Sequence, residues 1–113
     1  MAIALFDYAV SVRHPILHYG YMPGCPACAQ MSPIVDRVIG AASGTIELRK
    51  YDITVPGEIF PLPIQAVPAL ALEVKDHGVV QLPSRAERHH TDVELNNWIW
   101  NTFRQLRATR GLR

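Results

Sequence analysis

The hydrophobic pattern of the chain changes its period at a pair of cysteines, and this change constrains the fold more than any other feature. Before the pair, Pro15–Tyr21 alternates and is rich in aliphatic and aromatic residues, which is typical of a β-strand. From Pro26 to residues 40–44, apolar residues recur at intervals of three and four, which is typical of an amphipathic α-helix. The sequence therefore predicts a strand that runs directly into a helix, with Cys25 and Cys28 at the junction.

The rest of the chain predicts a small α/β domain. Thr45–Ile53 alternates as a second strand does, while Ala69–Val74 and Val79–Leu82 flank a glycine-containing turn, as in an antiparallel hairpin. Thr91–Leu106 opens with a capping box and carries an apolar stripe, so it predicts a closing helix. We expect one further strand or helix from residues 1–13.

Prolines limit the segment between the second strand and the hairpin, which contains Pro56, Pro61, Pro63 and Pro68. Because proline has no N–H and its ring clashes with the preceding turn, we expect an irregular crossover there. At most a short helical turn fits between Gly57 and Gln65. A further proline, Pro33, lies inside the first predicted helix, where we expect a kink or a local adjustment of the backbone.

Length and composition set limits on organisation and partners. The chain has 113 residues, of which 49% are hydrophobic, so residues 1–113 are expected to form a single domain with a real core. The net charge of +1 gives no reason to expect nucleic acid or an anionic membrane as a partner. A solvated helix end is the favoured interpretation of the arginines at 104, 107, 110 and 113. With no bilayer-length apolar run and no signal-peptide pattern, we expect a cytoplasmic protein.

Two cysteines at this spacing allow three interpretations. At a helix start, Cys25 lies near free backbone N–H groups and the positive end of the helix dipole, which favour the thiolate that attacks a disulfide. Cys28, one turn into the helix, is suited to resolve the mixed disulfide. Zinc would need further ligands from the histidines, none of which has a familiar ligand spacing with the cysteines. Two ordinary small residues at a helix start remain the third interpretation, and the strand-to-helix context favours thiol–disulfide exchange.

The arrangement resembles the thioredoxin-like superfamily over nearly the whole chain, from Pro15 to Leu106. A strand leads into the motif CPAC at a helix start, and Pro33 follows the second cysteine by five residues. The segment 66–74 is similar to the one in which a cis-proline precedes a hydrophobic strand, and a hairpin and a final helix follow. The resemblance implies a thioredoxin-like α/β fold, with a central mixed sheet of about four strands flanked by helices and a short N-terminal addition.

The resemblance also implies an active site. Cys25 would be the nucleophile and Cys28 the resolving cysteine, and no metal or organic cofactor would be needed. Pro68 would be cis and would pack against the disulfide, while Val67 would offer backbone groups to an extended substrate. The remaining substrate-binding residues would line the opposite side of the groove; they are Tyr21, Pro23, Gly24 and Pro26.

The subfamily is less sharply defined by the sequence. Proline directly after the first cysteine is typical of glutaredoxins and some periplasmic thiol oxidases, yet the glycine pair that holds glutathione is absent. Arg85 and Arg88 could meet a glutathione carboxylate, although a solvated basic loop is the simpler interpretation. Gly24 stands where thioredoxins have tryptophan, and Tyr19 stands where they have a buried acid, so we expect Tyr19 to be a packed aromatic.

Expected partners are disulfide-containing proteins or glutathione as co-substrate, together with a reductase. The alternative is a non-catalytic interaction module that keeps the fold and the cysteine pair without turnover.

Overall fold

The computed structural model describes residues 14–64, 66–82 and 91–108. The element expected in residues 1–13 and the suggested contacts of Arg85 and Arg88 therefore lie outside the described residues. In chain order, the elements are β1 (Ile16–Tyr21), α1 (Pro26–Ala41), β2 (Glu47–Asp52), β3 (Ala69–Val74), β4 (Gly78–Gln81) and α2 (Asp92–Ala108).

The four strands form one mixed sheet in the order β2-β1-β3-β4. Strand β1 pairs parallel with β2 and antiparallel with β3, and β3 pairs antiparallel with β4. The parallel pair is joined through α1, because parallel neighbours need a crossover connection. The predicted mixed sheet flanked by helices is confirmed, and so is the predicted order of its elements.

The element boundaries differ from the sequence prediction by one or two residues, and the prolines account for part of the difference. Strand β1 begins after Pro15, which is buried and has no N–H to give to the sheet. Helix α1 continues through Pro33 to Ala41. The described part of the crossover, residues 53–64, contains no helix; it has two hydrogen-bonded turns, from Val55 N–H to the Asp52 carbonyl at 3.0 Å and from Glu58 N–H to the Val55 carbonyl at 3.1 Å.

One face of the sheet and both helices form the main core. Leu17 and Tyr19 of β1 point into this core and are almost fully buried. Each helix covers these two side chains with one apolar stripe, as the periodicity of its sequence predicts. The buried residues of the two stripes are Met31, Val35, Val38, Leu95 and Ile99. Burying each large apolar side chain contributes about 1.5–3 kcal/mol, so this layer fixes the position of α1 against β1.

The other face of the sheet is covered in part by the crossover, and the packing there leaves no room at Gly20. Phe60 packs with Ala69 and Ala71 and forms a second, smaller core. A Cβ at Gly20 would lie 3.1 Å from both Phe60 and Ile64. The crossover therefore lies directly on β1, although it has no regular secondary structure.

A buried histidine joins three strands beneath this second core. His18 of β1 is 2% exposed, and its Nε2 lies 2.7 Å from Oε1 of Glu73 on β3. Its Nδ1 lies 2.7 Å from the hydroxyl of Tyr51 on β2. A neutral imidazole satisfies both contacts by donating to the carboxylate and accepting from the phenol. Both ring nitrogens are thus hydrogen-bonded, as a buried polar group requires.

Removing this bridge should destabilise the fold. We expect His18→Ala to lower the free energy of unfolding by about 2–4 kcal/mol, because it leaves a cavity and breaks two hydrogen bonds in the sheet. Urea unfolding monitored by tryptophan fluorescence measures the loss. His14→Ala is the matched control, since His14 is 27% exposed and lies 3.6 Å from its partner Glu47. Similar losses in the two variants would contradict the assigned role of His18.

Helix α2 begins with the predicted capping box. The Glu94 carboxylate accepts from the backbone N–H of Thr91 at 3.0 Å, and the Thr91 hydroxyl accepts from the N–H of Glu94 at 3.1 Å. The next residue, Asp92, accepts two hydrogen bonds from Arg37 of α1, at 2.7 and 2.9 Å. This guanidinium holds the pKa of the Asp92 carboxyl below its usual value. The start of α2 is thereby joined to the fourth turn of α1.

Candidate functional site

The cysteine pair lies in the loop and first turn that follow β1. The turn reverses at Gly24, whose φ of +81° lies in the left-handed region that favours glycine. Cys25 is extended, with φ −88° and ψ 114°, and it is the N-cap of α1. Pro26 occupies the first helical turn, where a missing N–H breaks no hydrogen bond. The backbone conformation of the loop and the position of the helix start therefore follow from local residue preferences, as the sequence predicts.

Cys25 and Cys28 form a disulfide, with their Cα atoms 5.2 Å apart. The Sγ of Cys25 also accepts a hydrogen bond from the backbone N–H of Cys28 at 3.1 Å, which is the capping interaction of the helix. The two cysteines differ in access: Cys28 is 3% exposed, whereas Cys25 is only half-buried. One sulfur can meet a partner in solvent and the other cannot, which is the asymmetry expected of a nucleophile and a resolving thiol.

A second segment approaches the disulfide from the start of β3. The Val67–Pro68 peptide bond is cis, and the carbonyl oxygen of Val67 lies 4.0 Å from Sγ of Cys25. A disulfide sulfur has no S–H to donate, so in the oxidised protein this is a van der Waals contact. The fold thus brings the carbonyl of Val67, next to Pro68 in the chain, to the more accessible cysteine across more than forty residues of sequence.

The other predicted substrate-binding residues lie in the loop that carries Cys25 or directly beside it. Pro23, Gly24 and Pro26 are exposed, whereas Tyr21 is half-buried and its ring stacks on that of Tyr19 with centroids 5.7 Å apart. The segment 21–31 contains no charged residue. The surface around the disulfide that this segment forms is therefore uncharged, and the substrate-binding role of its residues stays a prediction.

Tyr19 has a more specific position than a packed aromatic. Its ring is 1% exposed, and its hydroxyl donates to the carbonyl oxygen of Cys28 at 3.1 Å. The same hydroxyl lies 2.7 Å from Oγ of Ser32. Burial raises the pKa of Tyr19, the hydrogen bond to Ser32 opposes this shift, and the charge of Asp36 adds to it. The site therefore places a neutral hydroxyl directly behind the second cysteine.

Comparison with solved structures identifies the fold. The first thioredoxin domain of mouse protein disulfide-isomerase A4 superimposes with a TM-score of 0.62 at 17% identity, over 88% of this chain and 71% of that one. Thioredoxin O2 from Arabidopsis thaliana, in its oxidised state, gives 0.56 at 21% identity, over 88% of both chains. The chain has a thioredoxin-like fold. The predicted thioredoxin-like fold is thus confirmed.

Other comparisons agree with this assignment or find nothing. Thioredoxin-2, described as a component of the malaria parasite protein secretion machinery, has a TM-score of 0.60 at 20% identity, over 79% of this chain and 84% of that one. No protein-family model matches the sequence, and no curated protein matches it. These similarities concern the thioredoxin-like fold alone.

The loop after β2 adds apolar surface that the sequence pattern did not predict. β1 and β2 are parallel, so both end at the edge of the sheet that carries the disulfide, and Ile53 N–H donates to the carbonyl of Tyr21 at 3.0 Å. Val55 and Ile59 of this loop are 40% and 78% exposed, and Met22 of the loop after β1 is 37% exposed. Met22 and Val55 precede prolines and Ile59 stands between Glu58 and Phe60, with no periodic pattern, so no sequence signal marked these side chains as surface.

Within residues 14–64, 66–82 and 91–108, no group of three or more His, Cys, Asp or Glu side chains could hold a metal ion. No helix among these residues is long and apolar enough to cross a membrane.

The conformation of the cysteine loop can be tested at its glycine. We expect Gly24→Ala to lower the free energy of unfolding of the oxidised protein by about 1 kcal/mol, because an alanine at φ +81° is strained. Gly40→Ala is the control, since a Cβ at either glycine meets nothing within 4 Å and only Gly24 has a positive φ. In helix α1, the control should gain about 0.5–1 kcal/mol. Urea titrations measure both changes, and a gain at both sites would contradict the assignment of the turn.

Proposed function

We propose that this protein is a thiol–disulfide oxidoreductase that reduces or exchanges disulfides of proteins, or mixed disulfides with glutathione. The observation that carries the proposal is the asymmetric disulfide at the start of α1. Its accessible sulfur, Cys25, caps the helix and lies beside Val67, while its buried sulfur, Cys28, is one turn further on. The thioredoxin-like fold supports the same class of chemistry.

In the reducing direction, the reaction begins with the dithiol form. The Cys25 thiolate is stabilised by the N–H of Cys28 and by the positive end of the helix dipole. It attacks one sulfur of the substrate disulfide, forms a mixed disulfide and releases the first substrate thiolate. Cys28 then loses its proton and attacks Cys25, which forms the Cys25–Cys28 disulfide and releases the second thiolate. Two electrons pass from the protein to the substrate, and each leaving thiolate takes up a proton from solvent.

Substrate binding would use the surface around Cys25. An extended segment would lie along Val67 and Pro68 and pair with the backbone of Val67, as in strand addition. Tyr21 and the exposed residues Pro23, Gly24 and Pro26 would form the opposite side of this groove. No step of the exchange calls for a metal or an organic cofactor, since the sulfur pair itself carries the electrons.

The electron donor would be a reductase, or glutathione as co-substrate, and we place the reaction in the cytoplasm, where such donors keep thiols reduced. Titration of the Cys25–Cys28 disulfide against glutathione tests this placement. A potential near that of the cytosolic glutathione pool or below it supports a reductant, whereas a far more oxidising potential would assign the protein to disulfide formation instead.

Turnover assays with two cysteine variants test the enzyme assignment. We expect the wild type to reduce insulin in the presence of dithiothreitol, and Cys25→Ser to lose this acceleration, because the attacking thiolate is gone. Cys28→Ser should instead accumulate a mixed disulfide on Cys25, which mass spectrometry of the intact protein detects. The two variants thus separate attack from resolution.

Two results would contradict the proposal. If wild type and Cys25→Ser accelerate insulin reduction equally, the protein is a non-catalytic interaction module with the same fold. If the reduced protein is purified with stoichiometric zinc bound through the thiols, the cysteines are metal ligands. Metal analysis of the reduced protein under argon makes the second result directly measurable.

A further inference from the structure

We propose that Tyr19 is a positioning residue that sets how readily Cys28 closes on Cys25, by anchoring the first turn of α1 to the central strand of the sheet. This inference deepens the proposed function and rests on it for its role in turnover. Its physical basis is the hydroxyl of Tyr19, which bonds both the carbonyl oxygen of Cys28 and Oγ of Ser32. We call these two contacts the hydroxyl clamp.

The start of α1 needs such an anchor when the disulfide opens. Backbone N–H groups in a first helical turn lack partners within the helix, so helix ends tend to fray. In the oxidised protein the Cys25–Cys28 bond prevents this, because it closes the turn covalently. In the same oxidised structure, the turn also has the capping bond from Cys28 N–H to Cys25 Sγ at 3.1 Å and the backbone bond from Ala29 N–H to the carbonyl oxygen of Cys25 at 3.0 Å. Both of these contacts lie within the turn itself, whereas the hydroxyl clamp joins it to the sheet.

Tyr19 is well placed to act as a fixed point. It lies in β1, which pairs on both sides, with β2 and with β3. Its ring is 1% exposed and stacks on Tyr21. Ser32, the second contact, is four residues after Cys28 and lies on the same helix face. The clamp thus holds both ends of the turn that begins at Cys28, and it holds them to an inner strand of the sheet, with four of its six residues buried.

The clamp remains neutral while the thiols titrate. Burial raises the pKa of Tyr19, so its hydroxyl stays a hydrogen-bond donor at pH values where cysteine thiols ionise. The charge that acts on it is that of Asp36 from α1, and Asp36 pairs at 3.1 Å with Lys50 of β2, the register neighbour of Tyr19. The clamp therefore acts through position and not through a charge that would change with pH.

The consequence is an effect on the disulfide equilibrium. In the reaction of the protein dithiol with oxidised glutathione, the products are the Cys25–Cys28 disulfide and two molecules of reduced glutathione. Its equilibrium constant measures the effective concentration of Cys28 at Cys25, which is higher when the turn is held in place. The same positioning accelerates attack by Cys28 on a mixed disulfide at Cys25.

Tyr19→Phe tests the proposal, because it removes only the hydroxyl. We expect the equilibrium constant with glutathione to fall about fivefold, which corresponds to a disulfide about 20 mV easier to reduce. The matched control is Tyr51→Phe, which also removes one hydroxyl bonded within the fold, but at His18 on the opposite face of the sheet. The control should lose stability in urea and keep the wild-type equilibrium constant.

Ser32→Ala provides a second route if Tyr19→Phe folds poorly. We expect Ser32→Ala to lower the equilibrium constant with glutathione by a smaller factor than Tyr19→Phe does. The double variant Tyr19→Phe/Ser32→Ala should lower it by less than the product of the two single effects, because the two hydroxyls act as one unit. Quenched mixtures of protein and glutathione, separated by mass, give all the constants. They also give the fraction of protein trapped as mixed disulfide, which should rise in both single variants.

The outcomes separate this proposal from the proposed function. An equilibrium constant in Tyr19→Phe and Ser32→Ala equal to that of Tyr51→Phe would overturn the positioning role, whatever the wild-type activity. Absence of insulin reduction by the wild type would instead overturn the enzyme assignment, while a shifted constant in Tyr19→Phe would still establish the clamp as a determinant of the disulfide.

Discussion

The structure depends on the burial of β1 between two partner strands. Because β2 pairs with it in parallel and β3 antiparallel, its side chains alternate between two different environments. On one face, Leu17 and Tyr19 meet the helices, and on the other, His18 and Gly20 meet the crossover. The cysteine loop starts where this strand ends. A displacement of β1 would therefore also displace the disulfide, the crossover and both cores.

The local features of the fold could be predicted because they depend on neighbouring residues. The change of period at the cysteines fixes the strand-to-helix junction, and Thr91 and Glu94 mark the start of α2 through contacts only three residues apart. The hairpin follows from two apolar runs around a turn with Gly78. In each case, the physical cause of the structure lies within a short window of sequence.

Contacts between strands could not be predicted in the same way, since they depend on register. Glu73 lies opposite Ile16, so its long side chain reaches diagonally to His18, which itself faces Ala71. A shift by one residue would send Glu73 to the other face of the sheet. The hydroxyl clamp has the same origin, because the distance from Tyr19 to Cys28 is set by the packing of α1 on β1. The sequence suggested a packed aromatic at Tyr19 but contained no signal for its partners.

One sulfur atom, the Sγ of Cys25, takes part in two different interactions. It is both the cap of α1 and one of the two sulfurs of the disulfide. A thiolate accepts hydrogen bonds more strongly than a sulfur in a disulfide does, because it carries a full negative charge. The order of the helix start therefore follows the redox state of the protein. Reduction breaks the covalent closure of the turn and, at the same atom, strengthens the electrostatic cap that remains.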